Sequence, residues 1–288
     1  MTEREFVWWR TGCDDFLAPS GAVPDTASMG ATPAAGTADG TTPGRARSQA
    51  TTARFGSWTP VALLRCSHPK LGLVTALGLA GAAALSGRST LAVGMVLATA
   101  MVGQTVLGWH NDLVDRARDA SHARVDKPLV RGDVEPSTVW FWLAVAVMLV
   151  VPLAVFHGVW AGLSYLASLL VGIVSNVLLR GSWLSWLPWA ASFALYPAFL
   201  AYGGWAGQGR ETPPEVGVTA LAALLGVCVH VLVSLPGLVA DNQDGRRHLP
   251  LRMALRIGAP RLLWATLVVT VLVLGGLLAV GSRVGLTQ

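Results

Sequence analysis

Charged residues are scarce in this 288-residue chain. Asp, Glu, Lys and Arg make up 13% of it, whereas 53% of the residues are hydrophobic and the mean hydropathy is +0.54. A soluble domain carries about a quarter charged residues. The shortage excludes an ordinary soluble domain, and apolar runs of about 20 residues predict an integral membrane protein. Because these runs are continuous rather than alternating in polarity, we expect helices and not barrel strands.

Cysteine is also rare. Cys13, Cys66 and Cys228 lie far apart and belong to no CxxC or CxxH pattern, so the sequence predicts neither a zinc site nor a disulfide framework. The net charge is +5, which in a soluble protein would suggest nucleic-acid binding. In a membrane protein, basic loops that face anionic lipid headgroups account for this charge. We therefore expect membrane lipid, and no nucleic acid, as a partner.

Bulky side chains are nearly absent from the start of the chain. From Pro19 to Thr52 the sequence is dominated by Ala, Gly, Thr, Pro and Ser, which cannot bury enough surface to offset chain entropy. We predict a disordered extension over residues 1–57 and a transmembrane helical domain over residues 58–288. The apolar run Phe6–Trp9 is too short for a signal peptide, and acidic residues flank it.

The remainder of the chain predicts an all-α bundle of about seven transmembrane helices. The spans are expected near residues 71–87, 90–109, 137–156, 159–179, 184–204, 216–236 and 261–281. With the N-terminus inside, fourteen Lys and Arg residues lie in inside segments and three lie outside, namely Arg88, Arg210 and Arg283. This positive-inside bias predicts a multi-pass protein of the cell membrane whose acidic segments face the cytoplasm.

The few acidic residues are clustered. Ten follow position 60, and eight of these lie in two islands between apolar runs, at residues 111–135 and 241–247. Both islands fall on the same side of the predicted bundle. Carboxylates gathered in this way suit a divalent cation held against a phosphorylated lipid.

In the first island, Asn111, Asp115 and Asp119 are spaced by four residues, with Asp112 beside them. Residues four apart share a helix face, and the island continues the second predicted span. These oxygen ligands suit Mg²⁺, and without a cation such close carboxylates would raise one another's pKa. The alternative is a solvated, salt-bridged loop, because basic residues are interleaved. The helical spacing and the second island favour the metal site.

The second island follows the sixth predicted span. Asp241 and Asp244 are three residues apart and share a helix face, and Gly245 permits a turn before several arginines. An Asp-Gly pair alone is common in turns, so the weight of this island comes from its partnership with the first. We predict one site whose catalytic residues are Asn111, Asp112, Asp115, Asp119, Asp241 and Asp244, the five aspartates being its metal ligands.

These motifs resemble the UbiA superfamily of membrane prenyltransferases. The pattern of residues 111–119, followed by Arg124, Asp126, Lys127-Pro128 and Gly132, is similar to the first aspartate-rich motif of that family. Residues 64–69 resemble its approach to the first helix, residues 176–188 a helix connection, and residues 241–258 its second motif. The resemblance covers about residues 60–282.

The resemblance implies transfer of a prenyl group from a prenyl diphosphate to an unidentified acceptor, such as an aromatic compound or a quinone precursor. It implies Mg²⁺ as the cofactor, bridging the aspartates and the diphosphate, and a dry helical bundle in which the diphosphate ionises. It also implies Arg65, Arg124 and Lys127 as substrate-binding residues.

The sequence departs from the family pattern in two ways. Where the second motif often has an aspartate soon after a Leu-Pro pair, this chain has Gly237. The family usually has nine spans, so a chain of seven is expected to be shortened at the C-terminus. The alternative functions are therefore an inactive shortened relative or a non-enzymatic membrane protein such as a small transporter. A CDP-alcohol phosphotransferase is a further alternative, although Asp115–Arg118 matches its motif only superficially.

Overall fold

The computed structural model describes residues 59–203 and 213–284, and within these ranges all regular structure is helical. The extension predicted over residues 1–57 lies outside the described residues. The helices are α1 (Thr59–Cys66), α2 (Pro69–Leu85), α3 (Thr90–Ser121), α4 (Pro128–Arg131), α5 (Pro136–Phe156), α6 (Val159–Leu178), α7 (Trp186–Tyr202), α8 (Val216–Ser234), α9 (Leu238–Gln243), α10 (Leu249–Ile257) and α11 (Ala259–Val284). Short 3₁₀ turns precede α7 at Trp183–Ser185 and α9 at Leu235–Gly237.

Six of these helices are long and apolar enough to cross a membrane, and the bent pair α1–α2 is a seventh if it is taken as one span. The predicted all-α transmembrane bundle is thereby confirmed. Six predicted spans agree with α2, α5, α6, α7, α8 and α11 to within a few residues. The second predicted span ended at residue 109, whereas α3 continues to Ser121. Its last turns carry residues 111–119 of the first acidic island, as the spacing of these residues predicted.

A sharp bend joins α1 to α2. The two helices meet at an angle of 63°, with His68 in the left-handed region at a φ of 52° and Pro69 in the first turn of α2. Proline is tolerated there because the first N–H groups of a helix have no intrahelical partner. The bend packs closely on α3, since a Cβ at Gly108 would lie 2.4 Å from the Ser67 carbonyl oxygen.

The largest buried cluster lies in the half of the bundle away from the acidic islands. It includes Ala100 on α3, Tyr165 on α6, and Tyr196 and Phe199 on α7. The rings of Tyr165 and Phe199 lie 4.9 Å apart. At the other end of the bundle these same helices separate and surround a cavity.

Candidate active site

A cavity of about 410 Å³ lies between α2, α3, α6, α7 and α8, and both acidic islands contribute to its lining. One face of α3 forms its longest wall, because residues at helical spacing point the same way. Those lining residues are Gln104, Leu107, Gly108, Asn111, Asp115, Arg118 and Asp119. The charged end of this wall is the mouth of the cavity, and its inner end is neutral.

The three aspartates of the first island that lie on α3, namely Asp112, Asp115 and Asp119, are all buried but have different surroundings. Asp115 accepts a hydrogen bond from Arg180 of the α6–α7 connection, which also lies 3.4 Å from the Asn111 amide oxygen. Asp119 lines the cavity and has no hydrogen-bond or ion-pair partner in the described part of the chain. Asp115 and Asp119 thus present carboxylates to the same space, as predicted.

Asp112 lies beside this wall rather than on it. Its Oδ1 atom accepts from Lys127 Nζ at 2.5 Å and contacts His68 Nε2 at 2.7 Å. The side chain is 2% exposed. Asp112 does not line the cavity itself, whereas His68 and Lys127 do. The bend between α1 and α2 therefore places a histidine over the first island.

Arg118 connects the two islands. Its Nη2 atom donates to Asp241 Oδ1 at 2.7 Å and its Nε atom donates to Asp244 Oδ2 at 2.5 Å. His248 Nε2 lies 2.9 Å from the other Asp241 oxygen, and His122 Nε2 lies 2.7 Å from the other Asp244 oxygen. Asp241 is buried and lines the cavity, whereas Asp244 is more exposed and does not. The hydrogen bond from Arg118 lowers the pKa of Asp244, so this carboxyl is ionised at neutral pH.

The basic residues predicted to bind substrate are placed differently from one another. Arg124 and Lys127 line the cavity, with Arg124 paired to Asp126 through two hydrogen bonds of 3.0 Å. Arg246, which was predicted to add positive charge beside the second island but not to bind substrate, also lines it and lies 3.8 Å from Asp241. Burial lowers the pKa of Arg246. Arg65 is exposed on α1 and is not among the residues that line the cavity.

The inner cavity is neutral and carries both apolar and hydrogen-bonding side chains. The His230 ring stacks on Trp189 at 5.5 Å, and its Nε2 atom lies 3.0 Å from Ser185 Oγ. Deeper in the bundle, Gln104 Nε2 donates to the Tyr196 hydroxyl oxygen at 3.3 Å. The cavity therefore joins an ionic mouth to an uncharged interior.

Comparison with known proteins agrees with this arrangement. The sequence pattern of the UbiA prenyltransferase family matches residues 71–287. This chain belongs to that family. The structure of a UbiA homolog from Archaeoglobus fulgidus bound to GPP and Mg²⁺ is similar to it with a TM-score of 0.58 and 17% identity, over 75% of this chain and 76% of that chain.

A second structure of a UbiA homolog from Archaeoglobus fulgidus, bound to DMAPP and Mg²⁺, gives a TM-score of 0.56 and 19% identity over 74% of this chain and 76% of that chain. At these identities the likeness establishes the fold. No curated protein matches the chain. The protein is thus a multi-pass, all-helical member of the UbiA family.

The side chains of this UbiA family member provide oxygen atoms of the type that Mg²⁺ prefers. The buried Oδ2 atom of Asp112 has no hydrogen-bond partner, and the Asp119 carboxylate is unpaired within the described ranges. No group of three or more His, Cys, Asp or Glu side chains among the described residues is already arranged around one ion position. Asp115, Asp241 and Asp244 are instead each turned towards a cationic side chain. The chemistry of the donors nevertheless fits a divalent cation.

Several residues of the UbiA site were not predicted from the sequence. Arg180 was recognised only as part of a connection, and His68 and His248 were not assigned to the site. Each contacts a carboxylate that is distant in sequence or buried by folding, so local spacing carries no signal for it. For Arg118, the interleaving of acids and bases in the first island was a signal, but it did not identify which carboxylates the side chain would bind.

Proposed function

We propose that this protein is a Mg²⁺-dependent prenyltransferase that transfers a prenyl group from a prenyl diphosphate to an aromatic, quinone-precursor or related acceptor. The observation that carries the proposal is the single cavity lined by Asp115 and Asp119 from one island and by Asp241 from the other. These carboxylates come from two helices, α3 and α9, and share that space with several cationic side chains. A folded chain would not bury such a set of charges unless they were paired or bound a ligand.

The cations are placed to hold the diphosphate. Lys127, Arg124 and Arg246 all line the mouth of the cavity, where their N–H groups can donate to phosphate oxygens. A hydrogen bond to a charged group contributes roughly 1.5–3 kcal/mol. Arg124 and Lys127 each have a carboxylate partner, so the diphosphate oxygens would replace or share the carboxylates in those ion pairs.

The acidic islands supply the ligands of the cofactor. Asp115, Asp119 and Asp241, with Asn111 beside them and Asp112 and Asp244 next to the cavity, are the residues that would hold Mg²⁺. When bound, Mg²⁺ neutralises negative charge on the leaving diphosphate. The role of the side chains is to fix the position of the diphosphate at the mouth, with the prenyl tail directed towards the inner cavity.

The inner cavity completes the proposed reaction. The bond between prenyl C1 and the diphosphate oxygen breaks. The electron pair leaves on that oxygen, and the prenyl group becomes an allylic cation. C1 then bonds to the nucleophilic atom of the acceptor, which releases a proton. Leu71, Leu107, Trp189, Phe193 and Val233 line this part of the cavity and exclude water, which would otherwise capture the allylic cation.

The proposal is tested with purified protein in lipid vesicles, tritiated geranyl diphosphate and a panel of phenolic acceptors such as 4-hydroxybenzoate. We expect Mg²⁺-dependent transfer of the label to an acceptor. Replacing Asp112, Asp115 and Asp119 together by alanine should abolish this transfer. The matched control Glu135→Ala, at an exposed position of the same island outside the cavity lining, should retain it.

Calorimetric titration of geranyl S-thiolodiphosphate separates binding from turnover. The wild type should bind this analogue only when Mg²⁺ is present. If it showed no such binding and no transfer, the reading as an inactive relative would replace the proposal. If the triple variant kept wild-type transfer, the first island would have no part in the reaction.

A further inference from the structure

We propose that Gln104 and Tyr196 form the floor of the cavity and limit the prenyl tail to geranyl or farnesyl length, an inference that rests on the proposed function. The floor is a property of the inner cavity and is independent of which acceptor is used. It assigns a specificity-determining role to two buried side chains that do not contact the diphosphate end of the site.

On α3 and α7 the lining of the cavity ends at Gln104 and Tyr196. On α2 it ends at Thr75, on α6 at Gly172 and, nearer the mouth, on α8 at His230 beside Ser185. Gln104 lies eleven residues before Asp115 on one helix, which corresponds to a depth of roughly 16 Å at 1.5 Å per residue. The hydrocarbon core of a bilayer is about 30 Å thick, so the cavity ends near its middle.

The floor is a hydrogen-bonded pair supported from behind. Gln104 and Tyr196 are 9% and 7% exposed, and the Gln104 amide donates to the Tyr196 hydroxyl at 3.3 Å. Tyr165 stacks on Tyr196 at 6.4 Å and is held by a hydrogen bond from its hydroxyl to the Thr99 carbonyl. Phe199 packs against Tyr165 on the same side. Because a close-packed core lies behind the pair, a longer tail cannot push the floor inward without disrupting that core.

Helix α2 closes the floor from the side. A Cβ at Gly72 would lie only 3.2 Å from the Gln104 Cβ atom, so these two helices approach closely at this level. The Gln104 side chain therefore cannot move towards α2 to lengthen the cavity. Its amide donates to the Tyr196 hydroxyl, and the methylene groups of Gln104 and the ring face of Tyr196 are available to contact the end of an alkyl tail.

The depth can be compared with the length of the tail. With carbon–carbon bonds of about 1.5 Å, one extended isoprene unit spans roughly 5 Å. A geranyl tail of two units and a farnesyl tail of three units then fit between the level of Asp115 and the floor. An extended geranylgeranyl tail of four units is longer than this depth.

The inference is tested by calorimetric titration of prenyl S-thiolodiphosphates into the detergent-solubilised protein with Mg²⁺. The probes carry dimethylallyl, geranyl, farnesyl and geranylgeranyl tails. For the wild type we expect affinity to rise up to farnesyl, because each added unit buries apolar surface, and to fall at least tenfold for geranylgeranyl. The ratio of the affinities for two tail lengths is compared between variants. This comparison removes the contribution of the probes' partitioning into detergent, which is the same for all variants.

Two variants should change the maximum length of the bound prenyl tail in opposite directions. Tyr196→Ala removes the floor and should raise the ratio of geranylgeranyl to farnesyl affinity at least tenfold. Thr75→Phe fills the deep end and should lower farnesyl and geranyl affinity at least tenfold, with dimethylallyl binding unchanged. Tyr202→Ala on the same helix lies outside the cavity lining and should keep the wild-type ratios. If Tyr196→Ala does not fold, Thr75→Phe decides the question.

Other outcomes would overturn the inference. If the wild type binds geranylgeranyl as tightly as farnesyl and Thr75→Phe leaves all ratios unchanged, the tail leaves the cavity sideways and the floor sets no limit. In that case the proposed function stands. If no analogue of any length binds in the presence of Mg²⁺, the proposed function fails and this inference fails with it.

Discussion

Arg118 Nη2 on α3 donates a hydrogen bond to Asp241 Oδ1 on α9 at 2.7 Å, across 123 residues of sequence. Its neighbouring Nε atom donates to Asp244. One guanidinium group therefore ties the two acidic islands together at the mouth of the cavity. An arginine can do this because its donors form a fixed fork that matches the oxygens of carboxylates.

The two aspartates of the second island should differ in importance. Asp241 is buried and lines the cavity, so Asp241→Asn should weaken Mg²⁺-dependent binding of geranyl S-thiolodiphosphate tenfold or more. Asp244 lies next to the cavity and its side chain is 28% exposed, so Asp244→Asn should weaken this binding less than Asp241→Asn does. Calorimetric titration compares the two. If neither substitution changes affinity, the second island takes no part in binding the diphosphate.

The ion pair between Lys127 and Asp112 should stabilise the protein. The Asp112 side chain is 2% exposed and that of Lys127 is 13% exposed. Removing one partner of a buried ion pair destabilises by up to roughly 3–5 kcal/mol, and the remaining contact between Asp112 and His68 should reduce this loss. Lys127→Met should therefore lower the thermal unfolding temperature in detergent clearly more than the double substitution Lys127→Met/Asp112→Asn. Equal loss in the two proteins would mean that the pair contributes little.

Arg124 should bind the diphosphate rather than only balance the charge of its segment. It lines the cavity, although its present partner is Asp126. Arg124→Gln should weaken binding of geranyl S-thiolodiphosphate about tenfold, since a hydrogen bond to a charged group contributes roughly 1.5–3 kcal/mol. Arg116→Gln, at an exposed position on α3 outside the cavity lining, is the matched control and should leave affinity unchanged. Similar effects of the two substitutions would indicate a general effect of net charge.

Gly108 should be required for the approach of α3 to the bend between α1 and α2. A Cβ at this position would lie 2.4 Å from the Ser67 carbonyl oxygen, whereas a Cβ at Gly94 on the same helix meets nothing within 4 Å. Gly108→Ala should destabilise by about 1–3 kcal/mol through overpacking. Gly94→Ala should be neutral or stabilising by up to about 1 kcal/mol, because alanine favours the helix. Thermal unfolding in detergent measures both, and a neutral Gly108→Ala would contradict the close approach.

The helices and the shared cavity were predictable because their signals are local. Apolar runs near 20 residues define the spans, and the spacing of four between Asn111, Asp115 and Asp119 predicts a common helix face. The meeting of the two islands followed from placing both on one side of the membrane. These predictions needed only helix geometry and the distribution of charge.

The partners of the carboxylates were not predictable in the same way. Arg180 lies 65 residues from Asp115, and their contact depends on how α6 packs on α3. Asp112 faces the bend at His68 rather than the cavity, which spacing along α3 alone does not reveal. The expectation for Arg65 came from a resemblance. In the structure this residue is exposed because Ala62, Leu63 and Cys66 occupy the buried face of α1.

The orientation of the bundle remains a prediction from the basic residues. Ser121 at the end of α3 and Ser86 between α2 and α3 are both exposed, and a single long helix separates their two ends of the bundle. In a chain whose natural cysteines are replaced by alanine, Ser121→Cys should react with an impermeant maleimide only after the cells are permeabilised. Ser86→Cys should react in intact cells. The reverse pattern would place the acidic islands outside, against the positive-inside rule. The cavity mouth would then not face the cytoplasm, which is the expected source of the prenyl diphosphate.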